Sequence, residues 1–169
     1  MGTRHAVRRL ISPEEARALC RLSAFHGWCA VLTSWGLIVG CFCASALWPV
    51  WPVWGLSILL LGGRQLALAI LMHEAAHRAL LPGPGGGRGG RLNDLVGHWL
   101  CAAPTWNHLR PYRAHHLRHH RDTGALSDPD LPLVTPFPTT VRSLLRKFAR
   151  DMSGIAGARR VLALLAMDL

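Results

Sequence analysis

Residues 53–77 read VWGLSILLLGGRQLALAILMHEAAH. From Val53 to Met72 the only charge is Arg64. At ~1.5 Å per residue, a helical run of this kind is about 30 Å long, the thickness of a bilayer's hydrocarbon core. It ends in His73 and His77, four residues apart around Glu74. On a helix that spacing stacks two side chains on one face. The stretch therefore reads as a membrane-spanning helix with two imidazoles at its edge, and the rest of the chain is arranged around it. Arg64 is costly inside a span. It reads as a structural arginine, bonded to carbonyls or snorkelling past Gly62 and Gly63, rather than a functional contact deep in the bundle.

Toward the N-terminus, residues 27–47 carry no charge and are long enough for another span. Trp48 to Pro52 is an uncharged hairpin between the two, and Trp48, Trp51 and Trp54 in and beside it suit the headgroup level. Arg4, Arg8, Arg9, Arg17 and Arg21 precede the first span. By the positive-inside rule the N-terminus is cytoplasmic, the hairpin faces outward, and the chain returns to the cytoplasm at Met72. Ser12-Pro13-Glu14-Glu15 predicts a capped start for a short amphipathic helix on the membrane surface. No small-residue cleavage site follows the early arginines, so no removable signal peptide is expected. Residues 1–26 form a cytoplasmic amphipathic segment, and residues 27–169 the membrane domain.

Toward the C-terminus, PGPGGGRGG (82–90) predicts a flexible loop. It lacks the G-K-[ST] ending of a phosphate-binding loop. Asn93 to Ala103 is apolar but about half a span, which suggests an interfacial or re-entrant helix. The second histidine cluster follows, His115-His116-Leu117-Arg118-His119-His120. His116 and His120 share a helical face, and His119 projects beside them. Asp128-Pro129-Asp130 and Pro136-Phe137-Pro138 mark loops. From Thr139 a helix is expected with Val141, Leu144, Leu145 and Phe148 on one face and Arg142, Arg146, Lys147 and Arg150 on another, a pattern for an anionic leaflet. A third apolar run begins at Val161 and is too short to cross, so the chain is expected to be incomplete at its C-terminus.

Composition agrees with a membrane chain: half the residues are apolar and the net charge is +10. The basic residues flank the apolar runs, and no nucleic-acid motif accompanies them, so no nucleic-acid partner is expected. Five cysteines without a C-x-x-C pair argue against a disulfide framework.

Eight of the ten histidines lie between His73 and His120. Imidazole suits iron, zinc, copper and nickel. Taken alone, H-E-x-x-H is the zinc motif of many metalloproteases, and an intramembrane zinc protease is one reading. Such a site has no use for a second multi-histidine cluster. The surplus of imidazoles suggests two metals, and a nitrogen-rich pair facing a bilayer suits iron and dioxygen chemistry on lipid chains, where unactivated C–H bonds offer acid–base catalysis no foothold.

The stretch Arg64-Gln65-Leu66 with His73-Glu74-Ala75-Ala76-His77-Arg78 resembles the first histidine box of bacterial membrane fatty acid desaturases. Asn93-Asp94-Leu95-Val96-Gly97, Trp99 to Pro104 and Tyr112-Arg113, leading to His116-Leu117-Arg118-His119-His120, resemble the approach to their second box. Asp128-Pro129-Asp130-Leu131 and the basic segment Leu144 to Gly157 extend the likeness, which spans roughly residues 63–160. The resemblance implies that His73, His77, His116, His119 and His120 are iron ligands of a two-iron site. It also implies dehydrogenation of an acyl chain with O2 and two electrons from a separate donor, a ferredoxin or reductase, acting on membrane lipid or a carrier-bound acyl group. Glu74 is assigned no general-base role. His98, His108 and His115 match no motif and are read as bystanders. The family's third box, H-x-x-H-H, has no counterpart, so the chain is expected to be the N-terminal part of a desaturase. A related lipid or carotenoid hydroxylase would share both boxes.

The expected architecture is all-α: two transmembrane helices, interfacial amphipathic helices, and a cytoplasmic histidine-bearing face in a bacterial inner membrane.

Overall fold

The computed structural model describes residues 11–83, 87–135 and 137–167. Arg4, Arg8, Arg9, the middle of the glycine-rich loop, Pro136 and the last two residues lie outside them, as do the side chains of Arg17 and Arg160. The described residues are helical with no strand. The chain divides into two compact units, one ending at Ala114 and one beginning at His115, with the boundary inside an unbroken helix.

The first unit opens with α1 (Pro13–Leu19). Ser12 Oγ accepts from the Glu15 backbone N–H at 3.2 Å, and the Glu15 carboxylate accepts from the Ser12 N–H at 2.8 Å. This is the reciprocal cap expected of that sequence. The bond from the Ser12 backbone draws the Glu15 pKa below the usual glutamate value.

Two long helices follow, α2 (Ala24–Leu47) and α3 (Trp51–Ala76). Both are long and apolar enough to cross a membrane, and most of each apolar window is uncovered by the rest of the protein. They pack together as a hairpin closed by Trp48–Val50. Ser57 Oγ lies 3.1 Å from Ser45 Oγ and donates to the Cys41 carbonyl at 3.4 Å. The hairpin is shorter than expected because Trp51 and Pro52 already belong to α3. Proline is tolerated in a helix's first turn, where an N–H has no partner in any case. At the far end α3 runs past Met72 to Ala76, so His73 lies in its last turn and His77 caps it. Arg64 is half-buried within α3.

The core gathers at this second end: Val31 of α2, Leu68, Leu71, Met72, Ala75 and Ala76 of α3, then Leu80, Leu81, Val96, Cys101, Ala102 and Leu109. Fully burying a leucine- or valine-sized side chain contributes about 1.5–3 kcal/mol. This cluster is therefore where the segments after α3 are held. Trp35 of α2 also donates its indole N–H to the Leu100 carbonyl at 3.0 Å.

The expected interfacial helix is composite. It consists of α4 (Arg91–Val96), a π-helical turn (Gly97–Ala102) and a 3-10 turn (Ala103–Thr105). Two glycines set close approaches that a side chain would block. A Cβ on Gly27 would meet the Leu80 carbonyl oxygen at 1.9 Å, and one on Gly97 would meet Ala75 Cβ at 2.3 Å. Gly97 thus lets the π turn pack directly against the last turn of α3. α5 (Leu109–Asp122) then begins in the first unit.

In the second unit, α5 is followed by α6 (Leu131–Val134), α7 (Val141–Met152) and α8 (Ile155–Met167). Thr140 Oγ1 caps α7 by accepting from the Ser143 N–H at 3.2 Å. As expected, Val141, Leu144, Leu145 and Phe148 form an apolar stripe, which Met152 extends, and all five are exposed. The apolar run expected from Val161 is the second half of α8, which packs on α7.

Candidate metal centre

His73 and His77, one turn apart at the end of α3, have ring centroids 4.8 Å apart with planes inclined at 63°. On α5, His116 and His120 bring their Nε2 atoms to 3.0 Å, with rings nearly perpendicular at 87°. The first pair belongs to the first unit and the second pair to the second. A metal with bonds of about 2.0–2.1 Å to imidazole nitrogens holds its ligand atoms on the order of 3–4 Å apart. Each pair, one turn apart on its own helix, can thus present two nitrogens to one ion. His116 is buried, His73 and His77 are half-buried, and His120 is exposed.

His119 turns to the loop that follows α5. Its Nδ1 lies 2.8 Å from Asp128 Oδ1 and 3.6 Å from Asp130 Oδ2. Asp128 is 5% exposed and accepts from the Gly124 and Asp130 backbone N–H groups, each at 2.9 Å. The bond from His119, followed by the Gly124 N–H, pulls the Asp128 carboxyl down to about 2. His115 meets Asp130 in the same way, Nε2 to Oδ1 at 2.8 Å. The Asp128-Pro129-Asp130 loop is thus the seat of two histidines. A carboxylate on Nδ1 fixes the tautomer and leaves Nε2 as the nitrogen that could bind a metal.

The end of α3 is held by residues whose sequence context was informative but whose role was not. Asn93, fully buried, donates to the Ala75 carbonyl at 3.0 Å and accepts from the Leu81 N–H at 3.1 Å. Arg113 donates Nε to the Ala76 carbonyl at 2.9 Å and Nη2 to the Ala75 carbonyl at 2.8 Å. Its fork also grips Asp94, at 2.5 and 3.1 Å. That bond is the main reason the Asp94 pKa falls below the usual aspartate value. The resemblance had singled out all three residues, but nothing in local periodicity says which carbonyls they reach.

Glu74 is exposed. His98 and His108 also stand apart. Their rings stack at 5.5 Å beside a half-open pocket of about 450 Å³ that Trp99, Arg110 and Pro111 help to line.

The fatty acid desaturase family model matches residues 49–168, which hold all of α3, both histidine pairs and the Asp128 loop. The chain belongs to the fatty acid desaturase family. No curated protein and no solved structure matches it. The family match is wider at both ends than the stretch of resemblance read from the boxes. For this desaturase-family chain, membership and two helices long enough to cross a bilayer together point to a membrane protein.

Proposed function

We propose that this chain is a membrane oxidoreductase of the desaturase type, built to hold iron at its histidine boxes and to act on acyl chains. The observation that carries the reading is two one-turn histidine pairs, His73 with His77 and His116 with His120, in a chain of this family. An all-imidazole donor set suits iron. Bound there, iron would supply O2 activation: two hydrogens leave adjacent acyl carbons, and O2 with two electrons and two protons ends as two waters. The remaining work falls to the protein. His73 and His77 present nitrogens from the end of α3, and His116 and His120 do so from α5. His119, with Nδ1 engaged by Asp128, offers Nε2 toward a second ion, which would need donors beyond these five histidines. The uncovered apolar faces of α2 and α3 keep the group beside lipid. Electrons would come from a ferredoxin or reductase, and the substrate would be membrane lipid or a carrier-bound acyl group. In this reading the N-terminus and both boxes face the cytoplasm of a bacterial inner membrane, supported by Arg21 ahead of α2 and an uncharged hairpin.

Anaerobic reconstitution of the full chain in detergent with Fe(II), followed by elemental analysis, tests the proposal. Retained iron that is lost in His73→Ala and His116→Ala is expected. Zinc alone, unaffected by His116→Ala, would favour the H-E-x-x-H protease instead. The exposed position of Glu74 already weighs against that alternative, since the glutamate of such a site must reach the metal-bound water.

A further inference from the structure

The segment from α4 to the 3-10 turn sits at the end of the apolar hairpin. Gly97 packs against Ala75 in the last turn of α3, and the Leu100 carbonyl takes the Trp35 indole of α2. Its other side is uncovered. Leu92, Leu95, Trp99 and, just beyond the segment, Trp106 are each more than half exposed. Large apolar side chains left bare at the end of two bilayer-length helices lie where headgroups meet acyl chains, the level that tryptophan prefers.

Between this segment and the start of α5 is the half-open pocket beside the His98–His108 stack, about 450 Å³ in volume. That is within the roughly 300–1,000 Å³ of ordinary ligand sites. All of its lining belongs to the first unit. One wall is apolar, from Leu95, Trp99 and Pro111. The other is basic. Asp94 and Arg113 lie on it but neutralise each other, and the Arg113 fork is committed to Asp94 and to the Ala75 and Ala76 carbonyls. Arg110 is exposed, and its guanidinium has no partner among the described residues. The pocket therefore keeps one uncompensated positive charge. His98 Nδ1 accepts from the Leu109 N–H at 3.5 Å, which puts the ring proton on Nε2 and makes that nitrogen a donor. His108, stacked on His98 with planes inclined at 26°, adds a second imidazole. The first three residues of α5 also line the pocket, at the positive end of the helix dipole.

We infer that this pocket holds the phosphate of a membrane phospholipid. Arg110 is its ion-pairing residue, His98 and His108 add donors, and the lipid's chain lies along Leu95 and Trp99. A guanidinium meets a phosphate through two parallel N–H bonds, a geometry no other side chain offers. Basic pockets beside membrane spans take phosphate headgroups by the same means. A free phosphate would use the basic wall and leave the apolar wall wet, whereas a lipid satisfies both. The inference is independent of the metal reading, since neither histidine pair lines the pocket.

The test is photolabelling of the full chain in detergent micelles. The probe is a phosphatidic acid with a diazirine near the top of one acyl chain, and peptide mass spectrometry locates the adducts. Labelling within residues 92–106 is expected, and dihexanoyl phosphatidic acid should compete it away. Arg110→Gln is expected to raise the half-competing concentration about 10-fold or more, the loss of a charge-assisted bond. His108→Phe keeps a ring against His98 but removes its nitrogens, and should weaken competition by less. It carries the test should the Arg110 variant misfold, which helical circular dichroism would show. Equal labelling by a diazirine diacylglycerol, which has no phosphate, would overturn the inference. So would inorganic phosphate competing as well as the short-chain lipid, which would make this a site for the free ion. Labelling that both folded variants leave unchanged, or adducts confined to α7, would overturn it too. None of these results bears on iron.

Discussion

At the scale of single residues, the first histidine pair is supported from behind by what is small and what is charged. A Cβ on Gly97 would sit 2.3 Å from Ala75 Cβ, while one on Gly36 would meet nothing within 4 Å. Gly97→Ala should therefore lower stability by about 1–3 kcal/mol, the usual range for overpacking, whereas Gly36→Ala should not lower it. Thermal melts of the two variants in the same detergent check this. Asp94 gives a pH signature. Its folded pKa is depressed, chiefly by the bond from Arg113, so its contribution is complete above the unfolded value of about 3.9 and fades as pH falls through the lower folded value. The unaltered chain should lose its advantage in melting temperature over Asp94→Asn as pH drops from about 5 toward 3. The difference should be modest, since Asp94 is over a third exposed and screened by water. A constant difference across that range would count against the Arg113–Asp94 pair. The paired spacing of His73 with His77 and of His116 with His120 was legible in sequence because four residues make one helical turn. The bond from His119 to Asp128 was not, since its two ends lie on either side of a loop.

At the scale of elements, the capping box at Ser12, the spans and the turns followed local chemistry closely, with boundaries shifted where proline could enter a first turn. The segment from Asn93 was read as one short apolar helix. The structure divides it into α4, a π turn and a 3-10 turn, because Gly97 must meet Ala75 and Trp35 must reach Leu100. Those requirements come from α2 and α3, not from the segment's own residues. The α7 helix is the opposite case, since its two-faced pattern is intrinsic. Arg142 and Lys147 flank the exposed stripe, and Arg146 and Arg150 lie opposite it. A peptide of residues 139–153 should gain helicity on phosphatidylglycerol vesicles and not on phosphatidylcholine vesicles, and should dissociate as salt rises. Equal binding to both vesicles would show that the basic face plays no part.

At the scale of the molecule, the proposed orientation of the hairpin in the bilayer rests on charge and is tested by labelling. With the other native cysteines replaced, a cysteine at Val50 should react with an impermeant maleimide on intact cells, whereas Cys20 should react only after lysis. The reverse pattern would invert the topology. The amino-acid sequence by itself determined the all-α class, two helices of bilayer length, and two histidine pairs at one-turn spacing. Each of these depends on composition and periodicity within a single segment. Tertiary structure alone decided that Arg113 and Asn93 donate to the carbonyls between His73 and His77, and that His119 turns to Asp128. A buried polar group must find a partner, but which partner it finds depends on the distant segments that packing brings within reach.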